Sequence, residues 1–104
     1  VKQDYNEAAK WFRKAAEQGN AGAQNNLGEA YFYGNGVKQD YNEAAKWFRK
    51  AADDGRHWAQ YNVGLCYEFG YGVPKNFSLA ESFYKKAADS GNKNAIDALK
   101  RFKY

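Results

Sequence analysis

The amino-acid sequence predicts an all-α protein in which about three helix-turn-helix repeats stack into an α/α solenoid, a superhelix of six helices. The 104-residue chain repeats with a period of 36 residues, its apolar residues recur at helical spacing, and glycines separate the apolar segments. The period-two alternation of a β-strand is nowhere sustained. Helix pairs that repeat at this length cannot bury their apolar faces alone, so they are expected to stack.

The repeat divides the chain into three units. Residues 1–36 and 37–72 are identical at 24 of 36 positions, and both units begin with VKQDYNEAAKWFRKAA. Residues 73–104 keep the apolar pattern while many surface residues change. We therefore expect a single repeat domain, residues 1–104, built from these units.

The first helix of each unit is amphipathic and has recognisable ends. Asp4 and Asp40 are suited to cap helix N-termini, and Gly19, Gly55 and Gly91 are suited to end the helices. These signals predict helices over residues 4–18, 40–54 and 76–90. The apolar face in the first unit comprises Tyr5, Ala8, Ala9, Phe12, Ala15 and Ala16.

The second helix of each unit carries apolar residues at i, i+4 and i+8. This spacing predicts helices over residues 21–33, 57–69 and 93–103. Gly28 and Gly64 lie inside two of them, where glycine costs ~1 kcal/mol relative to alanine. We expect each to permit the close approach of a neighbouring helix. The apolar positions in the first two units are Ala23, Leu27, Tyr31, Ala59, Val63 and Tyr67.

Composition excludes several classes of protein. Hydrophobic residues make up 44% of the chain and aromatic residues 18%, enough to build a core and to exclude intrinsic disorder. No apolar run approaches the ~20 residues that a membrane-spanning helix needs. The lone Cys66 excludes an internal disulfide, and paired Cys/His zinc ligands are missing from the sequence. We expect no metal and no cofactor.

A catalytic function is not indicated. His57 and Cys66 are nine residues apart, about 900° around a helix, which places them on opposite faces. They are therefore not expected to form a nucleophile and base pair. Asp53 and Asp54 close to His57 are more simply explained as a solvated helix end.

The two ends of the array are predicted to differ. Lys100 and Lys103 replace the glycine and tyrosine of the earlier units, so helix 93–103 is expected to act as a C-terminal cap. The first helix copies an interior helix but has no preceding partner in the sequence. Together with the missing initial methionine, this suggests a fragment whose first helix lacks an upstream neighbour. We expect an apolar face around Trp11 that supports self-association.

The residues also resemble a known family. Ala23-x3-Leu27-Gly28-x2-Tyr31-x2-Gly34-x-Gly36-Val37, followed by Ala44-x2-Trp47-Phe48-x-Lys50-Ala51-Ala52-x2-Gly55, is similar to the Sel1-like repeat, a relative of the tetratricopeptide repeat. The similarity covers essentially the whole chain. It implies a superhelical scaffold that binds proteins, as in bacterial signalling and host-interaction factors and in eukaryotic quality-control adaptors. Family members proposed to have β-lactamase activity carry paired cysteines in each repeat, which this chain lacks.

The same resemblance indicates where a partner would bind. In tetratricopeptide relatives the helix equivalent to the second helix of each unit lines a concave groove, and its variable positions match those that differ between the first two units here. Trp58, Tyr61 and Leu65 would form an apolar stripe of the kind found in binding hot spots, although drift on a solvated face explains the differences equally well. The implied groove residues are Asn25, Glu29, Phe32, Trp58, Tyr61, Leu65, Glu68, Asn94, Asp97 and Arg101.

We therefore expect an interaction scaffold that binds a protein or peptide segment, and two alternatives stay open. The net charge of +4 lies entirely in residues 73–104, which hold seven basic and three acidic residues. A nucleic acid or another anionic partner could bind this face, although nucleic acid is the weaker candidate. The other alternative is a self-associating or engineered repeat without a natural ligand. The basic patch comprises Lys85, Lys86, Lys93, Lys100 and Lys103.

Overall fold

The structure, a computed structural model, describes residues 4–102, and over that range it consists of six α-helices. Each helix packs mainly against its neighbours in the chain, and this arrangement confirms the predicted α/α solenoid. None of these six helices has the length and apolar content of a membrane span. The helices are α1 (Tyr5–Glu17), α2 (Ala21–Tyr33), α3 (Tyr41–Asp53), α4 (His57–Phe69), α5 (Phe77–Asp89) and α6 (Lys93–Lys100).

The helix ends follow the predicted capping residues. The Asp40 carboxylate accepts hydrogen bonds from the backbone N–H groups of Asn42 and Glu43, at 3.0 and 3.2 Å. Gly55, with a φ of +86°, takes the left-handed conformation that follows the end of α3. Five helices therefore match their predicted bounds to within one residue at each end.

The predicted end of the last helix was wrong. α6 stops at Lys100, and the backbone N–H groups of Arg101 and Phe102 bond to carbonyls only three residues back, at 3.0 Å each. Such tighter bonds are common where a helix ends. Residue 103, the last residue of the predicted helix, lies outside the described residues.

The two interior glycines lie where an aromatic ring of the next helix crosses. A Cβ atom on Gly28 would be 2.6 Å from Cδ1 of Phe48, and one on Gly64 would be 2.5 Å from Cε1 of Tyr84. The prediction of close helix approach is confirmed. Because Phe48 and Tyr84 are buried, neither ring can easily move away from a larger side chain.

The identical segments at the starts of units one and two have different surroundings. Trp47 is 6% exposed and packs against residues of α1 and α2, whereas Trp11, at the same position in α1, is 62% exposed. Phe12 is likewise only half-buried, while Phe48 is buried. Trp11 and Phe12 are therefore less covered on α1 than Trp47 and Phe48 are on α3.

This difference predicts unequal effects of the same substitution. Trp47→Ala should lower the free energy of unfolding by ~3–5 kcal/mol because it leaves a cavity in the core. Trp11→Ala should change it by less than ~1 kcal/mol because the ring is already solvated. Urea denaturation followed by circular dichroism measures both values, and equal losses would contradict the packing described here.

The glycine contacts predict an inverted effect of alanine. In an unobstructed helix interior, Gly→Ala stabilises by up to ~1 kcal/mol. Gly64→Ala should instead destabilise by ~1–3 kcal/mol, because the new methyl group overlaps the ring of Tyr84. Gly22→Ala in α2 is the matched control, since its nearest neighbour would be 3.4 Å away. A stabilising Gly64→Ala substitution in the same denaturation experiment would refute the contact.

Candidate functional site

The second helices of the units bring most of the predicted groove residues to one surface. The Asn62 amide of α4 donates a hydrogen bond to Oδ1 of Asn25 in α2, at 3.0 Å. Burial raises the pKa of Tyr61 on α4; nearby Arg101 lowers it, and Tyr33 and Glu68 raise it. Asn25 of α2 and Trp58 of α4 line one pocket, and Glu68 of α4 pairs with Arg101, so α2, α4 and the segment after α6 contribute side chains to a common surface.

The predicted apolar stripe on α4 is a contiguous layer supported by the core. Trp58 is 47% exposed, and its ring meets that of Tyr61 edge to face, with centroids 6.0 Å apart. The Tyr61 ring lies in turn 5.7 Å from the buried ring of Tyr84 on α5. Leu65 is half-buried against the same cluster. Trp58 thus projects from the stripe, whereas Tyr61 and Leu65 pack against the core beneath it.

Glu68 and Arg101 bind each other. Arg101 donates from Nη2 to Oε1 of Glu68 at 2.6 Å and from Nε to Oε2 at 3.2 Å. The hydroxyl group of Tyr84 donates to the same carboxylate at 2.6 Å. Burial would raise the pKa of Glu68, but these hydrogen bonds outweigh it and lower the pKa below its ordinary value. The pair ties the end of α6 to α4.

Glu29 has a different environment. Burial raises its pKa, and the Asn62 amide offsets this only in part. Within residues 4–102, no Lys or Arg nitrogen lies within 4.0 Å of its carboxylate. Glu29 lines a small cavity of about 20 Å³ with Phe32, Tyr33, Phe48, Asn62 and Leu65.

An aromatic cluster at the C-terminal ends of α2 and α4 was missed in the sequence, apart from Phe32. The Phe32 ring lies 5.0 Å from each of Tyr33, Tyr41 and Tyr71, centroid to centroid, and Phe69 extends the cluster beside Tyr71 at 5.8 Å. Tyr33 is 66% exposed. The concentration of aromatic residues next to the glycine turns was the available signal.

The remaining predicted groove residues lie on α6. Asn94 and Asp97 are both exposed, and Asp97 pairs with Lys100 at 3.6 Å. Since both members of this pair are solvated, it contributes little to stability.

The basic patch is only partly described. Lys85, Lys86 and Lys93 are exposed, and the Lys86 ammonium lies 5.0 Å from the centre of the Phe83 ring. The Phe102 ring lies 5.9 Å from that of Tyr84, centroid to centroid, so one side of it is already in contact with the core. Lys103 lies outside the described residues.

The groups considered for catalysis are separate. His57 Nδ1 lies 3.1 Å from the side-chain nitrogen of Asn92. Cys66 is buried, and burial raises the pKa of its thiol to about 12. Across the described part of the chain, no group of three or more His, Cys, Asp and Glu residues could hold a metal ion.

The pair formed by Glu68 and Arg101 predicts a pH-dependent contribution to stability. A pKa that is lower in the folded than in the unfolded state adds stability above the unfolded pKa, and this stability is lost as the pH falls through the folded pKa. Arg101→Gln should therefore cost ~1 kcal/mol at neutral pH, since half of the Arg101 side chain is solvated.

Urea denaturation at pH ~7 and pH ~2.5 tests this expectation. The difference between parent and Arg101→Gln should shrink at the lower pH. Lys100→Gln, which breaks only the solvated pair with Asp97, should have little effect at either pH. A cost for Arg101→Gln that is independent of pH would contradict an electrostatic origin.

Comparison with known proteins identifies the repeat. Residues 1–20, 21–55 and 59–92 match the family model described as Sel1 repeat. The second and third matches each join a second helix to the first helix of the next predicted unit, α2 with α3 and α4 with α5. No curated protein matches the chain.

Three of the solved structures that share this fold show the extent of the similarity. The first is a protective antigen of uropathogenic Escherichia coli with an SLR fold, 45% identical over 95% of this chain and 21% of its own length, with a TM-score of 0.92. A Sel1 repeat protein from Oxalobacter formigenes is 42% identical over 88% of this chain and 69% of its own length, with a TM-score of 0.85. Cysteine rich protein B of Helicobacter pylori is 28% identical over 86% of this chain and 68% of its own length, with a TM-score of 0.80. The chain thus spans about a fifth of the length of the first protein.

Proposed function

The chain belongs to the Sel1 repeat family, a non-catalytic repeat fold whose members are generally protein-interaction scaffolds, and from this we propose that it binds a peptide or protein segment along the groove of α2, α4 and α6. The apolar stripe of Trp58, Tyr61 and Leu65 anchors the segment. Glu29, Glu68 and Arg101 select its charge and register.

The observation that carries this proposal is that the Trp58 ring is exposed and is held in place by the rings beneath it. Its ring projects from a rigid helix and rests edge-on against Tyr61, which is backed by the buried Tyr84. Little side-chain freedom remains to be lost when a partner covers these rings. Aromatic residues that are exposed, rigid and close to charged groups have the composition of binding hot spots.

The two acids of this groove differ in whether a cation of the chain neutralises them. Arg101 neutralises Glu68 within the chain, so this part of the surface offers a formed ion pair at the rim. Glu29 lies on the neighbouring helix without such a cation among the described residues. A segment lying across both helices would therefore meet apolar rings, a neutralised pair and one unneutralised acid.

We also propose that α6 serves as the cap of a single three-unit domain. Ala95 and Ala98 are fully buried against α5, whereas Lys93, Asp97 and Lys100 on its outer side are exposed. Such a polar outer face is what a terminal repeat needs for solubility.

The proposal predicts that Trp58→Ala together with Tyr61→Ala abolishes partner capture from a lysate of the source organism. Far-UV circular dichroism should show unchanged helicity. Trp11→Ala is the matched control, because it also removes an exposed tryptophan, from α1 and away from the groove. Mass spectrometry should identify proteins captured by the parent and by the control but not by the double variant.

Two results would contradict the groove assignment. A folded double variant that still captures the same protein would place binding elsewhere. Capture that falls steeply between ~50 and ~200 mM salt, and depends on Lys85 and Lys86, would favour an anionic partner on the basic face.

A further inference from the structure

We infer that the segment bound in the groove presents an acidic side chain, aspartate or glutamate, to Arg56 in the cleft where the start of α4 faces α2. This inference rests on the proposed function, because it names the chemistry of the bound segment at one position. Arg56 was not among the groove residues predicted from the sequence.

The cleft lies beside the exposed end of the apolar stripe. It has a volume of about 350 Å³ and is lined by Asn25 on α2 and by Trp58 on α4. α2 forms one wall and the turn from α3 into α4 forms the other, so consecutive units of the array enclose it. Because Trp58 also meets the ring of Tyr61, a segment that covers the stripe can extend directly into this cleft.

Arg56 supplies the positive charge of the cleft. Its side chain is exposed, and its guanidinium group reaches α2, where Nη2 would lie 3.7 Å from a Cβ atom placed on Gly22. Within residues 4–102, no carboxylate lies within 4.0 Å of this guanidinium. The residues of that range that line the cleft include no Asp or Glu. The charge is therefore available to a partner.

The internal repeat shows that Arg56 departs from the structural role of its position. Asn20 and Asn92 occupy the same place in the other two units, and their side chains accept hydrogen bonds from backbone N–H groups of α2 and α6, at 2.8 and 2.9 Å. A guanidinium group has no acceptor, and α4 accordingly begins without a side-chain cap. At this position a stabilising cap has been exchanged for a positive charge that lines the cleft.

The polar groups beside Arg56 present hydrogen-bond donors. Oδ1 of Asn25 already accepts a hydrogen bond from Asn62, so the Asn25 nitrogen is the group left for a ligand. Oδ1 of Asn92 accepts from the backbone N–H of Ala95, so the Asn92 nitrogen must donate to Nδ1 of His57, 3.1 Å away. The neutral His57 ring then carries its proton on Nε2 and can donate from there. These groups suit a ligand that accepts hydrogen bonds.

A side-chain carboxylate is the acceptor that fits this cleft. A planar guanidinium group can bind both oxygens of a carboxylate, and Arg101 binds Glu68 in this way elsewhere on the groove. The single positive charge of Arg56 matches the single negative charge of aspartate or glutamate better than the double charge of a phosphate group.

Degenerate peptide libraries with one fixed residue test the inference. All peptides have an amidated C-terminus, the fixed residue is glutamate, glutamine or lysine, and each library is passed over the immobilised chain. The parent should retain the glutamate library about threefold to tenfold more than the glutamine library, as expected for one solvated charge-assisted pair. Arg56→Gln should bring this ratio close to one. Lys38→Gln, which removes an exposed cation beyond the opposite end of α2, should leave it unchanged.

Charge reversal sharpens the test. Arg56→Glu should transfer the preference from the glutamate library to the lysine library, a result that a loss of folding cannot produce. Peptides that bind through Trp58 and Tyr61 without a preference for glutamate, or with a preference that survives Arg56→Gln, would overturn the inference and leave the groove assignment standing. Retention that requires a free C-terminal carboxylate would also overturn it, because the acidic group would then be a chain end.

A second measurement applies if no library binds, a result that would count against the proposed function. N-acetyl-glutamate amide and N-acetyl-glutamine amide are titrated against the chain while the indole N–H signals of its three tryptophans are followed by NMR. A shift of the Trp58 signal but not of the Trp11 and Trp47 signals, caused by the glutamate compound alone and lost in Arg56→Gln, supports the site. Equal responses to both compounds, or no response, overturn the inference.

Discussion

The contact between an aromatic ring and an interior glycine sets the geometry on which this array depends. Phe48 crosses α2 at Gly28 and Tyr84 crosses α4 at Gly64, so each first helix lies closer to the preceding second helix than any side chain at the glycine would allow. Tyr84 extends this effect to the surface, because its ring supports Tyr61 and its hydroxyl group donates to Glu68. The core contact and the candidate groove therefore share one residue.

Most of the fold could be predicted because its determinants are local. Caps such as Asp40 and the glycine at residue 55 act within one turn, and the spacing of apolar residues identifies each buried face. The end of α6 could not be predicted in this way. Arg101 is bound by Glu68, 33 residues earlier in the chain, and such a contact leaves no mark on local sequence.

The helix positions that form the groove could be predicted from the sequence, but the pKa shifts of its acids could not. Glu29 and Glu68 were equivalent acids in the sequence, yet the structure raises the pKa of one and lowers that of the other. Burial raises the pKa of Glu29 and the Asn62 amide offsets this only in part, whereas the hydrogen bonds from Arg101 and Tyr84 lower the pKa of Glu68. The contacts of Phe32 with Tyr41 and Tyr71 also join separate elements, so the aromatic cluster was visible in the sequence only as its composition.

The duplicated segment that forms α1 and α3 has a consequence for how the chain finds its fold. Residues 5–16 and 41–52 are the same string of letters, so either copy presents α4 with the same docking surface. Selection of the correct copy must then come from connectivity, since the short link between α3 and α4 closes with a smaller loss of chain entropy than a closure between α1 and α4, which spans α2 and α3. The length of the link thus determines which copy packs against α4. Lengthening the turn around Gly55 would bring the two pairings, α3 with α4 and α1 with α4, closer in free energy.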